Sequence, residues 1–138
     1  MTGSRVIRHT GDGWAGVEPR EYKDDAGTLL RVIRHTLLGG SDADAGLDFE
    51  VRYFEVASGG YSSLERHQHA HAVLTVKGSG TVRLGERREA IRPLDMVYVA
   101  PGDIHRFEAD TGECLGFICV VDRNRDRPEV VDEEDEAR

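Results

Sequence analysis

The sequence predicts an all-β sandwich or barrel, on three observations. Short segments rich in Val, Ile, Leu, Phe and Tyr recur along the chain, turn residues separate them, and no segment carries a long helical period with caps. Between residues 49 and 121 these segments fall at 49–56, 62–67, 71–76, 80–84, 96–99, 105–108 and 114–121. The breaks are Ser58-Gly59-Gly60, Lys77-Gly78-Ser79-Gly80, Gly85-Glu86, Pro101-Gly102-Asp103 and Asp110-Thr111-Gly112. Gly, Pro, Asp and Ser supply the backbone conformations that reverse a chain. Short strands at this spacing cannot each bury an apolar face alone, so they pack as two sheets or close on themselves. Gly78 and Gly80 lack the spacing and the following helix of a phosphate loop, and read as a hairpin turn.

The 138 residues fit one domain with its own core. Residues 1–48 read as an N-terminal arm broken by glycines. Two strand patches in it, 28–33 and 35–38, extend the main sheet or add to a partner subunit, and 40–46 is a loop by composition. Residues 122–138 are charged and end in Asp132-Glu133-Glu134-Asp135-Glu136. Such a block repels itself and buries nothing, so a disordered acidic tail is expected.

The formal net charge of -8 argues against a nucleic-acid backbone as partner. No apolar run approaches the roughly 20 residues that a membrane helix needs. The first residues lack the apolar core of a signal peptide, so the cytoplasm is the expected compartment. Cys114 and Cys119 are an odd number of residues apart in a strand-like segment, hence on opposite faces. A bridge within one straight strand is not expected, and both read as buried thiols.

The chemistry concentrates in Glu65-Arg66-His67-Gln68-His69-Ala70-His71, answered by His105 in Ala100-Pro101-Gly102-Asp103-Ile104-His105. Alternate side chains of an extended strand share a face, so Glu65, His67, His69 and His71 can look the same way. Imidazole nitrogens and carboxylate oxygens suit one divalent transition metal, such as Mn, Fe, Zn, Ni or Cu. Strand geometry limits this. Residues two apart are separated by about 7 Å and residues six apart by about 20 Å, so one ion reaches both Glu65 and His71 only if the chain turns. That turn would fall at Gln68-His69-Ala70, which has no Gly or Pro.

These residues resemble the two motifs of a small single-domain cupin of the conserved-barrel type. The first family motif is G-x5-H-x-H-x3,4-E-x6-G. The stretch from His71 to Gly78 fits its E-x6-G half, with His71 at the glutamate position, His67 at the second histidine and Glu65 at the first. The second motif is G-x5-P-x-G-x2-H-x3-N, and Pro101-Gly102-Asp103-Ile104-His105 fits its centre. Ala100 stands where a first proline is usual, and Ala109 replaces the terminal asparagine. The resemblance covers residues 51–121 and implies a double-stranded β-helix, or jelly-roll, cupin barrel at 49–121 behind the N-terminal arm. It also implies that one divalent metal is held by Glu65, His67, His71 and His105. His69 is an extra histidine that permits a second register, and it ranks after Glu65 among the candidate ligands.

Candidates for the barrel interior are Arg52, Tyr53, Tyr61, Met96, Tyr98, Phe107, Phe117 and Cys119, of which alternation admits about half. Arg52, Tyr61, Tyr98, Phe107 and Phe117 are the expected substrate-pocket residues. Phe107 lies two after His105 and so shares its face. Arg52 and Tyr98, if inward, need a polar partner that a substrate carboxylate or enolate would supply. Arg66, Lys77, Arg83, Arg87, Arg88 and Arg92 read as a solvated face, and Thr28, Ser62 and Ser63 offer no base–nucleophile arrangement.

The leading functional expectation is an enzyme of dioxygenase type on a small enolisable or aromatic molecule, with Glu65 as general base if it leaves the metal. The alternatives are a non-redox cupin enzyme, namely a polyketide cyclase, isomerase or lyase, or a module that binds or senses a small ligand. A purely structural metal ranks last, because a barrel closes its sheet without one. The expected partners are a small-molecule substrate and a second copy of the chain, joined as a homodimer through the N-terminal arm, with no nucleic acid or membrane.

Overall fold

The computed structural model describes residues 3–23 and 29–132. Its strands in chain order are β1 (His9–Thr10), β2 (Gly13–Trp14), β3 (Arg20–Lys23), β4 (Leu29–Leu38), β5 (Phe49–Val56), β6 (Glu65–Arg66) and β7 (His71–Lys77). They continue as β8 (Gly80–Leu84), β9 (Arg87–Ile91), β10 (Met96–Val99), β11 (His105–Ala109), β12 (Leu115–Asp122) and β13 (Glu129–Val130). One short 3-10 turn, Asp42–Asp44, interrupts them. Among the described residues no helix is long and apolar enough to cross a membrane.

Two antiparallel sheets make the barrel. One runs β10-β7-β12-β5-β4-β3 and the other β13-β6-β11-β8-β9, while β1 and β2 form a small separate pair. This is the jelly-roll expected from the sequence. Alternation explains why each strand holds its place. On β12 Leu115, Phe117, Cys119 and Val121 point inward, on β7 Val73 does, and on β10 Val97 and Val99 do. From the second sheet Val82, Ile91, Phe107 and Ala109 close the same apolar cluster. Burying one face of each sheet against the other is what fixes the register, because a slip of one residue would turn every apolar side chain outward.

Several expectations are revised. The glycines at 78 and 80 do not form a hairpin. β7 and β8 belong to different sheets, and the chain turns a corner between them. Gly78 has φ +69, and a Cβ there would overlap the Cys114 carbonyl, so the corner requires glycine. The two patches expected in the arm are one strand, β4, whose pairing with β3 is irregular near Arg31 (φ 60), and Thr28 lies outside the described residues. β9 went unrecognised because four of its five positions are solvent-exposed, leaving Ile91 as the sole buried apolar residue.

The acidic tail also needs correction. Residues 123–128 cross back over the barrel, and β13 pairs with β6, setting Glu129 opposite Arg66 and Val130 opposite Glu65. Val131 is buried and its N–H donates to the Leu64 carbonyl at 2.8 Å. The buried Val131, the Glu129–Arg66 ion pair at 3.0 Å and the β13–β6 pairing anchor it. The remainder of that expectation, 133–138, lies outside the described residues.

Candidate metal centre

The histidine run sits where the chain passes from one sheet to the other. β6 ends at Arg66 in the five-stranded sheet, and β7 begins at His71 in the six-stranded one. The intervening bend has no Gly or Pro, and a distant carboxylate supplies what they would have. Asp126 accepts the N–H of Gln68 at 2.9 Å and the N–H of His69 at 3.1 Å. Gly102 donates its N–H to the His67 carbonyl at 2.7 Å, which ties the bend to the Pro-Gly turn before β11. β11 then starts at His105, directly opposite Glu65 of β6.

The bend brings four imidazoles together. Nε2 of His67 lies 3.1 Å from Nε2 of His105, and Nε2 of His69 lies 3.1 Å from Nε2 of His71. The ligating atoms of His67, His69 and His71 all lie within 4.8 Å of one another. The His67 and His105 ring centroids are 4.6 Å apart.

The outer nitrogens of His67, His69 and His105 each have a partner. Nδ1–H of His67 donates to the His69 carbonyl at 2.7 Å, and Nδ1–H of His105 donates to the Asp103 carbonyl at 2.9 Å. Carbonyls only accept, so both ring protons sit on Nδ1 and both Nε2 lone pairs point inward. Nδ1 of His69 faces Asp126 Oδ1 at 2.7 Å.

His67, His71 and His105 are held in the neutral form. Burial holds His67 down to about 4, with the neighbouring His105 adding to it. Burial, then His67 and His105, lowers His71 to about 2, and burial lowers His105. Asp126 is held well below the usual carboxylate range by the Gln68 N–H and by His69.

Neutral imidazoles are the metal-binding form. Two lone pairs 3.1 Å apart with no proton between them repel, and a cation in their focus removes the conflict. Two nitrogens each about 2.1 Å from one ion, at octahedral or tetrahedral angles, are about 3.0–3.4 Å apart. The donor set therefore fits a divalent transition metal held by His67, His69, His71 and His105.

A cavity of about 170 Å³ opens on this cluster, walled by Glu65, His69, His71, His105, Arg34, Arg52, Arg125, Phe54, Phe107, Phe117 and Cys119 among others. His67 is buried behind it. Glu65 faces the cavity and accepts a hydrogen bond from Ser63 Oγ at 2.8 Å, but it is not one of the three closely grouped ligating residues, whereas His69 is. The bend brings Nε2 of His69 to 3.1 Å from that of His71. On a straight strand His69 and His71 would stand about 7 Å apart.

The pocket candidates divide. Arg52 is 7% exposed and lines the cavity, and Phe107 and Phe117 stack in its wall with centroids 4.4 Å apart. Tyr98 and Tyr61 do not belong to it. Tyr98 is 65% exposed, because β10 turns Val97 and Val99 inward and its even-numbered positions outward. Both phases of Met-Val-Tyr-Val are apolar, so the sequence did not reveal which faced in. Tyr61 is 47% exposed, bridges Glu108 and lies under the Arg106 guanidinium at 4.7 Å. Sequence reasoning missed Arg34, Arg125 and Asp126. The last two lie in Asn124-Arg125-Asp126-Arg127, where nothing separates a structural charge from a solvated one. Both cysteines are free, Cys119 buried and Cys114 partly so.

Comparison with known proteins places the fold. Residues 49–121 match the AraC-like ligand binding domain. The chain is 42% identical over 125 residues to the 1-methylthio-D-xylulose 5-phosphate methylsulfurylase of Rhodospirillum rubrum, covering 90% of this chain and 78% of that protein. Among solved structures, a cupin-2 domain from Rhodospirillum rubrum is 39% identical with a TM-score of 0.81, covering 96% of this chain and 87% of that one. A cupin 2 conserved barrel domain protein from Rhodopseudomonas palustris is 41% identical with a TM-score of 0.83, covering 95% and 89%. The chain belongs to the cupin superfamily, as a conserved-barrel domain of the AraC-like ligand-binding type.

Proposed function

We propose that this chain is a metal-dependent enzyme acting on a small phosphorylated ketose that carries a thioether beside its carbonyl, the substrate type named for its Rhodospirillum rubrum relative. The observation that carries this reading is the convergence of His69, His71, His105 and one carboxylate, Glu65, on a single small cavity, with His67 directly behind them. A hydrogen on the carbon between a carbonyl and a sulfur is acidic enough for a positioned carboxylate to remove it. Glu65 takes that proton, breaking the C–H bond and leaving the electron pair delocalised onto the substrate oxygen. A bound divalent ion supplies Lewis-acid stabilisation of that developing charge. Ser63 holds the Glu65 carboxylate in place at 2.8 Å. Phe107 and Phe117 keep water from the reacting carbon, and Arg52 offsets negative charge across the cavity.

Oxygenation is the second reading, because the same deprotonation begins it and imidazole ligands also suit redox-active ions. A homodimer through the N-terminal strands completes the proposal. It is supported by β3, the outermost strand of its sheet, whose free edge can pair with another strand. Light scattering tests the assembly.

The deciding experiment incubates metal-loaded protein with the 1-methylthio ketose phosphate in D2O. Proton exchange is followed by NMR and oxygen by electrode. Exchange or consumption without oxygen uptake supports the proposal. Stoichiometric oxygen uptake moves the assignment to an oxygenase. Tight binding with neither leaves a ligand-binding module.

A further inference from the structure

We propose that Arg52 and Arg125 form an anion subsite that receives the phosphate of the substrate, an assignment that rests on the substrate class proposed above. Arg52 projects from β5 into the cavity and is 7% exposed. Its Nε has no hydrogen-bond partner. Its Nη2 has only the Cys119 sulfur at 3.7 Å, a weak acceptor, and the guanidinium lies 5.0 Å from the Phe54 ring centroid.

The nearest carboxylate, Glu50, stands 3.9 Å from Arg52 Nε and is already engaged. Arg125 donates to its two oxygens at 3.2 and 3.3 Å. One carboxylate thus serves two guanidiniums. A buried cation with its donor unused is costly unless an anion arrives to take it.

Position adds a second argument. Arg125, with Arg34, lines the 170 Å³ cavity and also a neighbouring one of about 540 Å³. The smaller cavity is below the roughly 300–1,000 Å³ of most ligand pockets. It has room for the reacting end of a sugar, and the chain of the sugar then leads toward the shared wall. A phosphate dianion there meets planar guanidinium forks matched to its oxygens.

The test uses the full-length, metal-loaded chain with D-xylulose 5-phosphate and D-xylulose as probes in calorimetry, and inorganic phosphate as competitor. The phosphorylated sugar is expected to bind at least tenfold tighter than the free sugar. Arg52→Met removes that preference while metal remains stoichiometric by mass spectrometry, and Arg52→Lys keeps part of it. Should Arg52→Met not fold, Arg125→Met decides, with an expected loss of at least threefold in the preference. Equal affinity for the two sugars, or a preference intact in a folded Arg52→Met or Arg125→Met, overturns the subsite. If phosphate selectivity holds but the methylthio substrate is never turned over, the reaction assignment fails and the subsite stands. Turnover without phosphate selectivity fails the subsite alone.

Discussion

The Asp126 carboxylate lies 2.7 Å from Nδ1 of His69 and also receives the His69 backbone N–H at 3.1 Å, so one side chain fixes both the bend of the histidine run and the ring of a candidate ligand. A ligand whose outer nitrogen is held in this way presents its inner nitrogen at a set angle, and partners of this kind typically change metal affinity about 10–100-fold. Asp126→Ala should therefore weaken metal binding by about that factor, read by calorimetric titration. Asp126→Asn keeps one oxygen acceptor and should fall between. An Asp126→Ala protein that binds metal like the parent would mean that the bend holds itself.

Removing an imidazole should act more strongly. His67→Ala, His71→Ala and His105→Ala should each strip most of the metal from a folded barrel. His69→Ala should do the same, since its Nε2 lies 3.1 Å from that of His71. Elemental analysis after dialysis checks all four, and full occupancy in His69→Ala would remove that residue from the ligand set.

Acid should act on the cluster in a defined window. His67 is held down to about 4 and His71 is lowered further, against an ordinary value of 6.5. Above 6.5 both rings are neutral folded or unfolded and contribute no pH dependence. As pH falls from 6.5 toward 4 the unfolded chain takes up protons that the folded chain refuses, so stability declines across that interval. Metal, which competes with protons for the same nitrogens, should be retained through pH 6 and released as pH nears 4. Release centred on 6.5 in a dialysis series would contradict this.

Glu65→Gln should leave metal affinity within about threefold while reducing proton exchange from substrate by about a hundred- to ten-thousand-fold, the usual contribution of a general base. A comparable loss of metal would instead make Glu65 a ligand.

Gly78→Ala should destabilise the barrel by about 2–4 kcal/mol, combining a left-handed backbone with overpacking against the Cys114 carbonyl. Urea denaturation checks it, and a loss under 1 kcal/mol would mean the corner relaxes.

Much of this was legible in the sequence because strand alternation is a local signal. Phe49–Val56, Gly80–Leu84 and Met96–Val99 have the bounds their composition implies, and His105 with Phe107 share a buried face because they are two apart. What escaped depends on contacts far along the chain. The bend at Gln68 has no turn residue of its own, so its cause, Asp126, is invisible locally. Tyr98 was assigned to the wrong face because Met96–Val99 is apolar in both phases. Val130 and Val131 went unweighted among the charges around them, although one pairs and the other is buried.

The clamp from Asp126 also orders the birth of the site in time. The carboxylate is 57 positions beyond His69, so a ribosome must first make β7 to β12 before the histidine run can take its working shape. Until then the bend lacks the carboxylate that receives the Gln68 and His69 N–H groups. The candidate metal centre is thus complete only after β12 and the segment that follows it exist.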